Sequence, residues 1–234
     1  MRYTITVLRR DRGKEERYRQ SFFYETDNES DTVAAALTSL NERIVLTDIG
    51  GQTARKIEWE CSCLQKKCGA CAMVINGLPQ LACQAKLSEC KGGRAVLAPL
   101  SKFPTVCDLV CDRSILFENL KRLRAWLGTD AQLSDFYHDI AYESSECLQC
   151  GCCLEVCPNF YAGGKFYGMS ALPVTMRLLT EKQDYRELSK LYSKHIFGGC
   201  GRSLACKAIC PKGIDTEKML VNANLLAVWK RKKR

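Results

Sequence analysis

The sequence predicts an α+β protein in two halves, of which the first is rich in strands and the second is helical. Residues 2–9 and 17–25 alternate apolar and polar side chains and are rich in β-branched and aromatic residues. In the second half, apolar residues recur at helical spacing. The stretch KGGRAVLAPLSKFPT, with its Gly and Pro residues, is typical of a connection. We therefore expect one domain over residues 1–104 and another over 105–234, with the boundary near Pro104.

The first half reads as a small sheet with one helix. The two alternating stretches predict a β-hairpin that turns at Asp11–Lys14. Ser30 or Asp31 is expected to cap a helix through TVAAALTSLNER. Farther along, AMVI and LPQLACQ flank Asn76-Gly77, a dipeptide typical of two-residue hairpin turns, so a second hairpin is expected there.

The second half reads as a series of helices from Cys107 onward. The residues that recur at helical spacing are Ile115, Leu116, Leu120, Leu123 and Leu127. The same pattern predicts helices over Pro173–Glu181 and Asp184–Lys194. Asp215 is expected to cap a final helix that runs through Val228.

The composition is that of an ordinary folded protein except for its cysteines. Of the 234 residues, 46% are hydrophobic and 26% are charged, which excludes disordered and collagen-like classes. The N-terminal stretch MRYTITVLRRDRGKEER lacks the apolar core of a secretory signal, so we expect a reducing compartment. There, 16 cysteines indicate metal ligands rather than disulfides. No run reaches the ~18 apolar residues of a membrane span, so we expect the chain itself not to be transmembrane.

The formal net charge is +9, and the chain closes with the run WKRKKR at residues 229–234. Such a run is typical of a solvated end, of a segment beside an anionic membrane surface, or of a nucleic-acid-binding tail. We expect no nucleic-acid partner, and the charge pattern leaves the other two interpretations open.

Four cysteines follow the spacing C-x4-C-x2-C with a more distant fourth, which is typical of plant-type [2Fe-2S] ferredoxins. They are Cys63, Cys68, Cys71 and Cys83. The first three allow one loop to wrap the cluster, and Gly69 lets the backbone come close to sulfur. The alternative is a zinc site, but a zinc ribbon pairs two C-x2-C knuckles and this region has only one.

A second motif, ECLQCGCCLEVCPNF, contains the bacterial ferredoxin run C-x2-C-x2-C-x3-C-P at Cys147, Cys150, Cys153, Cys157 and Pro158. In that run the first three thiolates bind one cluster and the fourth binds another. The residue before a proline favours an extended backbone, so Pro158 turns the thiolate of Cys157 away from its neighbours.

A third motif reads Cys200-x5-Cys206-x3-Cys210-Pro, with Ser203 where the template has its second cysteine. Exchange of the fourth thiolates gives two ligand sets: Cys147, Cys150, Cys153 and Cys210 for [4Fe-4S], and Cys157, Cys200 and Cys206 for the other cluster. Three soft thiolates and a hydroxyl favour [3Fe-4S] at that second site. A [4Fe-4S] cluster with a serine ligand is the alternative.

The remaining cysteines are expected to be packing residues: Cys61, Cys90, Cys107, Cys111 and Cys152. Cys61 alone lies close enough in sequence to Cys63 to compete for iron. His138 and His195 are isolated and are expected to be structural. The sequence therefore predicts no catalytic residue in this chain.

With these motifs in order, the chain resembles the iron–sulfur subunits of succinate dehydrogenases and fumarate reductases. The segment CSCLQKKCGACAMVINGLPQLAC resembles that family's [2Fe-2S] loop, and APLSKFPTVCDLVCDRSILFENL resembles its domain connection. ECLQCGCCLEVCPNF and CGRSLACKAICPKGI resemble its two ferredoxin runs. The resemblance implies an N-terminal β-grasp, plant-type ferredoxin domain and an all-α, bacterial-ferredoxin-like domain.

The resemblance also implies partners and a location. Electrons would pass between a flavoprotein subunit with FAD, which holds the dicarboxylate site, and quinone in a transmembrane anchor that can hold haem b. The order implied is [2Fe-2S], [4Fe-4S] and [3Fe-4S]. The chain would then lie at the cytoplasmic face of the membrane as a peripheral subunit.

Two departures from the family bear on the quinone. Ubiquinone-linked members typically carry Trp shortly after the first Cys-Pro and His directly after the first cysteine of the second run. This chain has Asn159, Phe160 and Tyr161 at the first place and Gly201 at the second. The departure favours a menaquinone-linked member whose quinone site lies mostly in the anchor, and leaves the direction of the reaction open. Tyr161 and Lys165 are expected to be surface or packing residues.

Two lysines are expected to tune the first cluster. A plant-type cluster has a potential of roughly −400 mV, and exchange with fumarate or quinone needs a higher value. Lys66 and Lys67 supply positive charge for this, unless they are merely solvated or face an acidic partner. Two other classes stay open: the iron–sulfur subunit of a thiol-linked or heterodisulfide-type oxidoreductase, and a zinc-binding scaffold.

Overall fold

The computed structural model describes residues 1–128, 130, 135–181 and 185–229. The chain divides into two compact units, Met1–Asp112 and Arg113–Arg234. The first unit extends beyond Pro104 because the next residues bond back to it: the Asp108 N–H donates to the Arg10 carbonyl at 3.0 Å. The domain boundary near Pro104 stays a prediction.

The first unit is a five-stranded mixed sheet with one α-helix. Its elements are β1 (Arg2–Arg10), β2 (Arg17–Glu25), α1 (Val33–Glu42), β3 (Leu46–Thr47), β4 (Thr53–Ala54), β5 (Ala72–Ile75), β6 (Leu78–Leu81), β7 (Arg94–Ala98), β8 (Thr105–Cys107) and β9 (Val110–Cys111). The strand order of the large sheet is β2-β1-β7-β5-β6. Strand β1 pairs antiparallel with β2 and parallel with β7, and β5 pairs antiparallel with β6. Both predicted hairpins are confirmed.

Helix α1 buries one face, formed by Val33, Ala34, Ala36, Leu37 and Leu40. The prediction that Ser30 or Asp31 caps it is wrong, because the Thr32 hydroxyl accepts from the Ala35 N–H at 3.2 Å. The Asp31 carboxylate instead accepts a hydrogen bond from the Tyr24 hydroxyl at 2.5 Å.

The second unit is built from helices. They are α2 (Ser114–Arg122), α3 (His138–Ser145), α4 (Cys152–Glu155), α5 (Ala171–Leu179), α6 (Arg186–His195), α7 (Ala205–Ala208) and α8 (Thr216–Asn224), and α8 continues as a π-helix over Leu225–Trp229. The Asp215 carboxylate accepts from the Lys218 N–H at 3.0 Å, which confirms the predicted cap of the last helix. Within the described ranges, no helix is both long and apolar enough to cross a membrane.

The expectation of helix from Cys107 onward is wrong for the first residues. Strands β8 and β9 form a two-stranded ladder, and Asp108 between them has a φ of +35°. This backbone conformation reverses the chain and excludes an α-helix there. Helix α2 begins only at Ser114, and Leu127 lies beyond its end. Asp184, the predicted start of a later helix, lies outside the described residues.

Candidate metal centres

The structure brings together the four cysteines expected to bind [2Fe-2S]. The Cys68 thiol lies close enough to Cys63 to lower its pKa, and Cys83 and Cys68 lie close enough to Cys71 to raise its pKa. Cys71 directly precedes β5 and Cys83 follows β6, so the hairpin positions these two thiols. The Ala82 N–H donates to the Cys71 carbonyl at 3.0 Å and closes that end of the hairpin.

Backbone N–H groups point at two of these sulfurs. The Cys63 sulfur accepts from the N–H groups of Gln65 at 3.3 Å and Lys67 at 3.4 Å, and the Cys83 sulfur accepts from Lys66 at 3.3 Å. Leu64 and Lys66 adopt positive φ values of 53° and 56°, as does Gly69 at 76°. Such a left-handed backbone turns amides toward one centre and forms an anion-binding concavity. The loop is therefore shaped to stabilise thiolates.

The pKa values of these thiols follow from that geometry. Hydrogen bonds from the Gln65 and Lys67 N–H groups, together with the adjacent Cys68 thiol, lower the pKa of Cys63 to about 7. Burial raises the pKa of Cys71 to about 12; the Cys83 N–H opposes this rise, and the Cys83 and Cys68 thiols add to it. The pKa shifts thus favour the thiolate of Cys63 before any metal binds and the neutral thiol of the buried Cys71.

The four cysteines expected to bind [4Fe-4S] also lie together. Burial raises the pKa of Cys147 to about 11, and the nearby Cys150 and Cys210 raise it further. Burial raises the pKa of Cys153 well above its ordinary value, with additional contributions from Cys150, Cys147 and Cys210. Each of these thiols thus lies within electrostatic range of the others in its set.

Two side chains that were not expected to act on this second group of cysteines lie against it, namely Gln149 and Cys152. The Gln149 side-chain amide donates to the Cys147 sulfur at 3.3 Å and to the Ser170 carbonyl at 2.8 Å. Cys152 is fully buried, as expected, but its thiol also lies beside Cys150 and is the largest cause that lowers the pKa of Cys150 to about 7. The sequence did contain a signal for Gln149, because a polar residue within a cysteine loop that is expected to be buried is a candidate donor to sulfur.

The third group surrounds a cavity of about 400 Å³, a volume that includes its open mouth. The cavity is lined by the three expected ligands, Cys157, Cys200 and Cys206, and by Ser203. Burial raises the pKa of Cys206, and Cys157 and Cys200 lie close enough to raise it further. Cys206 also influences Cys153, so the second and third groups are neighbours.

The residues present fit iron–sulfur clusters. Soft thiols are the ligands that such clusters take, and N–H donors aimed at sulfur are the expected surroundings of bound thiolates. Among the described residues, no group of three or more His, Cys, Asp or Glu side chains is arranged to hold a metal ion. The assignment of each ligand set to its cluster therefore stays a proposal that rests on the contacts above and on the spacing.

Cys61, Cys107 and His195 are not among the expected ligands. Cys107 is buried and its thiol donates to the Glu58 carboxylate at 3.0 Å, while Cys61 is exposed. His195 stacks on Tyr167 with ring centroids 4.3 Å apart, and its Nδ1 lies 2.8 Å from the Lys165 carbonyl. These contacts agree with a structural role for His195.

Comparison with known proteins gives consistent matches. Residues 4–118 match the family model described as a 2Fe-2S iron-sulfur cluster binding domain, and residues 143–214 match a 4Fe-4S dicluster domain. The succinate dehydrogenase iron-sulfur subunit of Bacillus subtilis is 34% identical over 204 residues, which are 82% of this chain and 79% of that protein. The fumarate reductase iron-sulfur subunit of Wolinella succinogenes is 27% identical over 197 residues, which are 76% and 80% of the two chains.

A solved structure supports the same fold. A chain of the Mycobacterium smegmatis Sdh1 complex in the apo form superposes with a TM-score of 0.75 and 20% identity. The match covers 100% of this chain and 98% of that one. Both units thus have a counterpart, in the same order, within one known chain.

Proposed function

Since the chain belongs to the family of iron–sulfur subunits of succinate dehydrogenases and fumarate reductases, we propose that it carries electrons between a flavoprotein and a membrane anchor. Membership makes it a component of an oxidoreductase with a 2Fe-2S domain followed by a 4Fe-4S domain. The flavoprotein would hold FAD and the dicarboxylate site, and the anchor would hold quinone and can hold haem b. The chain itself would lie at the cytoplasmic face of the membrane.

We propose three clusters, each with its own ligand set. Cys63, Cys68, Cys71 and Cys83 would hold [2Fe-2S], Cys147, Cys150, Cys153 and Cys210 would hold [4Fe-4S], and Cys157, Cys200 and Cys206 would hold [3Fe-4S]. The parallel pairing of β1 with β7 supports a β-grasp arrangement for the first domain. The short cysteine-bearing helices α4 and α7 support a bacterial-ferredoxin-like arrangement for the second.

Bound clusters supply one-electron oxidation and reduction, and the residues of this chain hold them and set their surroundings. The N–H groups of Gln65, Lys66 and Lys67 offset negative charge on the sulfurs of Cys63 and Cys83. Gln149 does the same at Cys147. Because such hydrogen bonds stabilise the more negative, reduced state, they raise the reduction potential.

A menaquinone-linked member is the form we favour. Gly201 stands where ubiquinone-linked relatives typically have histidine, and a Cβ at this position would come within 2.9 Å of the Asn159 side-chain amide. Asn159 in turn donates to the Gly199 carbonyl at 2.7 Å. A histidine at position 201 would therefore displace this contact, which supports a quinone site that lies mostly in the anchor.

One observation carries the proposal: the cavity of the third group is lined by three thiols and a serine. Three soft ligands and a hydroxyl favour a three-iron cluster over a cubane. A structural zinc site takes four ligands. A zinc-binding scaffold would therefore not be expected to have a site with three thiols and one serine.

Low-temperature electron paramagnetic resonance of the anaerobic native complex tests it. We expect an oxidised [3Fe-4S] signal before any addition and its decrease after succinate is added. Anaerobic handling is needed because air can strip iron from a cubane and imitate the three-iron site. The absence of the signal, together with an iron content that matches two cubanes, would overturn the three-cluster proposal.

A further inference from the structure

Thr216, the first residue of α8, lies in the wall of the cavity that the third group of cysteines surrounds. Its hydroxyl oxygen is 3.4 Å from the sulfur of Cys206, which lines the same cavity. The two residues are only 5% and 9% exposed, so their contact is shielded from solvent. Leu220, one turn farther along α8, also lines the cavity. The start of α8 therefore places a hydroxyl group against the sulfur, beside an apolar side chain.

The direction of this hydrogen bond follows from the chemistry of a metal ligand. In the metal-free chain Cys206 is a thiol, and either the thiol or the hydroxyl can be the donor. A cysteine that binds iron does so as a thiolate, which has no proton to donate. Once Cys206 is a ligand, the Thr216 hydroxyl must therefore be the donor and the sulfur the acceptor. Such a hydrogen bond to a charged acceptor is stronger than one between neutral groups.

Contacts of the residues that precede α8 fix the position of the hydroxyl. The Asp215 carboxylate caps the helix through the Lys218 N–H at 3.0 Å, and the Asp215 N–H donates to the Glu143 side chain at 2.6 Å. Lys212 forms an ion pair with Glu146, at the end of α3. The segment that leads into α8 is thus tied to α3. Because the cap belongs to Asp215, a substitution at the next residue can remove the hydroxyl and leave the cap in place.

A donor at this sulfur acts on the charge of whatever the sulfur holds. Burial raises the pKa of Cys206, whereas the hydrogen bond with Thr216 lowers it. One-electron reduction adds negative charge to a cluster and its ligands, while the hydroxyl keeps its proton. The hydrogen bond therefore stabilises the reduced state more than the oxidised state. The low dielectric of the protein interior strengthens this effect.

We propose that Thr216 is a positioning residue that acts through Cys206 and raises the reduction potential of the cluster held there. The proposal rests on the proposed function only in that Cys206 binds an iron–sulfur cluster, and it is the same for a three-iron cluster and for a cubane. Cys206 lies within electrostatic range of Cys153 in the second group. A higher potential at the third group would favour electron transfer to it from the second. The competing explanation is that the Thr216 side chain only fills space in the cavity wall.

The test compares substitutions at this position in the anaerobic native complex. Thr216→Val replaces the hydroxyl with a methyl group of similar size, and Thr216→Ser keeps the hydroxyl. Thr175→Val is the matched control, because Thr175 is completely buried in α5 and its hydroxyl donates to the Ala171 carbonyl at 2.8 Å. A redox titration followed by electron paramagnetic resonance gives the potential of the third cluster. Iron content checks that each variant is loaded, and Thr216→Ala replaces the Val variant if that one fails to take up iron.

In Thr216→Val we expect the one-electron equilibrium of the third cluster to shift about fivefold to tenfold toward the oxidised form, which corresponds to a potential lower by about 40–60 mV. Thr216→Ser and Thr175→Val should keep the wild-type potential. Electron–nuclear double resonance after exchange into deuterated water should show a coupled, exchangeable proton that Thr216→Val lacks and Thr216→Ser retains.

Two results would overturn the role of the hydroxyl and leave the proposed clusters intact. One is a potential in Thr216→Val equal to that of the wild type. The other is a shift in Thr216→Ser or Thr175→Val as large as that in Thr216→Val, which would indicate an effect of packing. A wild-type complex that holds no iron at the third group would overturn this proposal together with the proposed function.

Discussion

The Arg9 guanidinium donates from Nε to Oδ1 of Asp108 at 3.0 Å, and both side chains are completely buried. The same carboxylate accepts from Arg55 at 2.6 and 2.9 Å and from the backbone N–H groups of Arg10 and Glu58. Asp108 therefore joins the first strand, the segment before the cysteine loop and the β8–β9 turn. Its five hydrogen bonds offset the cost of burying its charge.

Replacing Asp108 with Asn should destabilise the first unit by about 3–5 kcal/mol, because it leaves a buried guanidinium without its counter-ion. Asn tolerates the left-handed backbone of this position. The loss of stability therefore measures the removal of the charge and not a change in the turn. Denaturant unfolding of the cluster-loaded chain measures it. Asp27→Asn is the control, since that exposed carboxylate should contribute less than about 0.5 kcal/mol. A loss at Asp108 no larger than at Asp27 would contradict the finding.

Replacing Lys66 and Lys67 with Gln should lower the [2Fe-2S] potential. The substitutions remove two positive charges but keep the backbone N–H groups that donate to Cys83 and Cys63. A redox titration followed by electron paramagnetic resonance gives the potential. Lys91→Gln, an exposed lysine outside the cysteine loop, is the control. An unchanged potential in the double variant would show that the two lysines act elsewhere, for instance on an acidic partner surface.

Replacing Gln149 with Leu should lower the [4Fe-4S] potential by roughly tens of millivolts. The change removes an N–H donor to the Cys147 sulfur, and a hydrogen bond contributes about 1 kcal/mol, whereas 59 mV corresponds to a tenfold change in a one-electron equilibrium. Gln65→Leu is the matched control, because Gln65 reaches sulfur only through its backbone. Equal potentials in the Gln149 variant and the wild type would limit Gln149 to a structural role.

Replacing Ser203 with Cys should convert the third cluster to a cubane. The new thiol would complete four soft ligands in the cavity that Cys157, Cys200 and Cys206 already line. The oxidised three-iron signal should disappear and the iron content should rise by one per chain. Ser203→Ala is the control and should keep the signal. Persistence of the signal in the Cys variant would mean that position 203 does not face the metal.

In the cluster-free chain, alkylation by iodoacetamide should separate Cys63 from Cys71. The thiolate is the nucleophile, and the pKa of Cys63 is lowered to about 7, so its rate should rise between pH 6 and 8 and then level off. The pKa of Cys71 is raised to about 12 by burial, so Cys71 should stay unmodified over that range. Peptide mass spectrometry under anaerobic conditions measures both rates. Similar rates at pH 7 would contradict the described loop.

Local patterns predicted the local features of the fold. Asn76 and Gly77 both have positive φ, at 49° and 84°, as the two-residue turn between β5 and β6 requires. Asp215 caps its helix through a residue three positions away. In both cases the local conformation is determined by residues that are close together in the sequence, so the sequence alone was enough to predict it.

Features that depend on contacts between residues far apart in the sequence could not be predicted from it. Asp108 lies 99 residues from Arg9, and no periodicity marks two such residues as partners. We predicted helix where β8 and β9 form a ladder, because the spacing of apolar residues does not reveal that one residue, Asp108, has a left-handed backbone. The grouping of cysteines could be anticipated from ferredoxin spacing, but the spacing carried no information on which side chain, such as Gln149, reaches a sulfur.

The parallel pairing of β1 with β7 orders events during synthesis. Residue 4 faces residue 94 across the ladder, so β1 has its hairpin partner early but lacks its central neighbour until about 90 more residues are made. At about 5–20 residues per second, that interval is roughly 5–18 s. The cysteine loop at 63–83 leaves the ribosome within this interval, before the sheet can close. Iron that arrived during this interval would meet a nascent chain whose cysteine loop is not yet held by the closed sheet, so the order of synthesis makes early cluster loading possible.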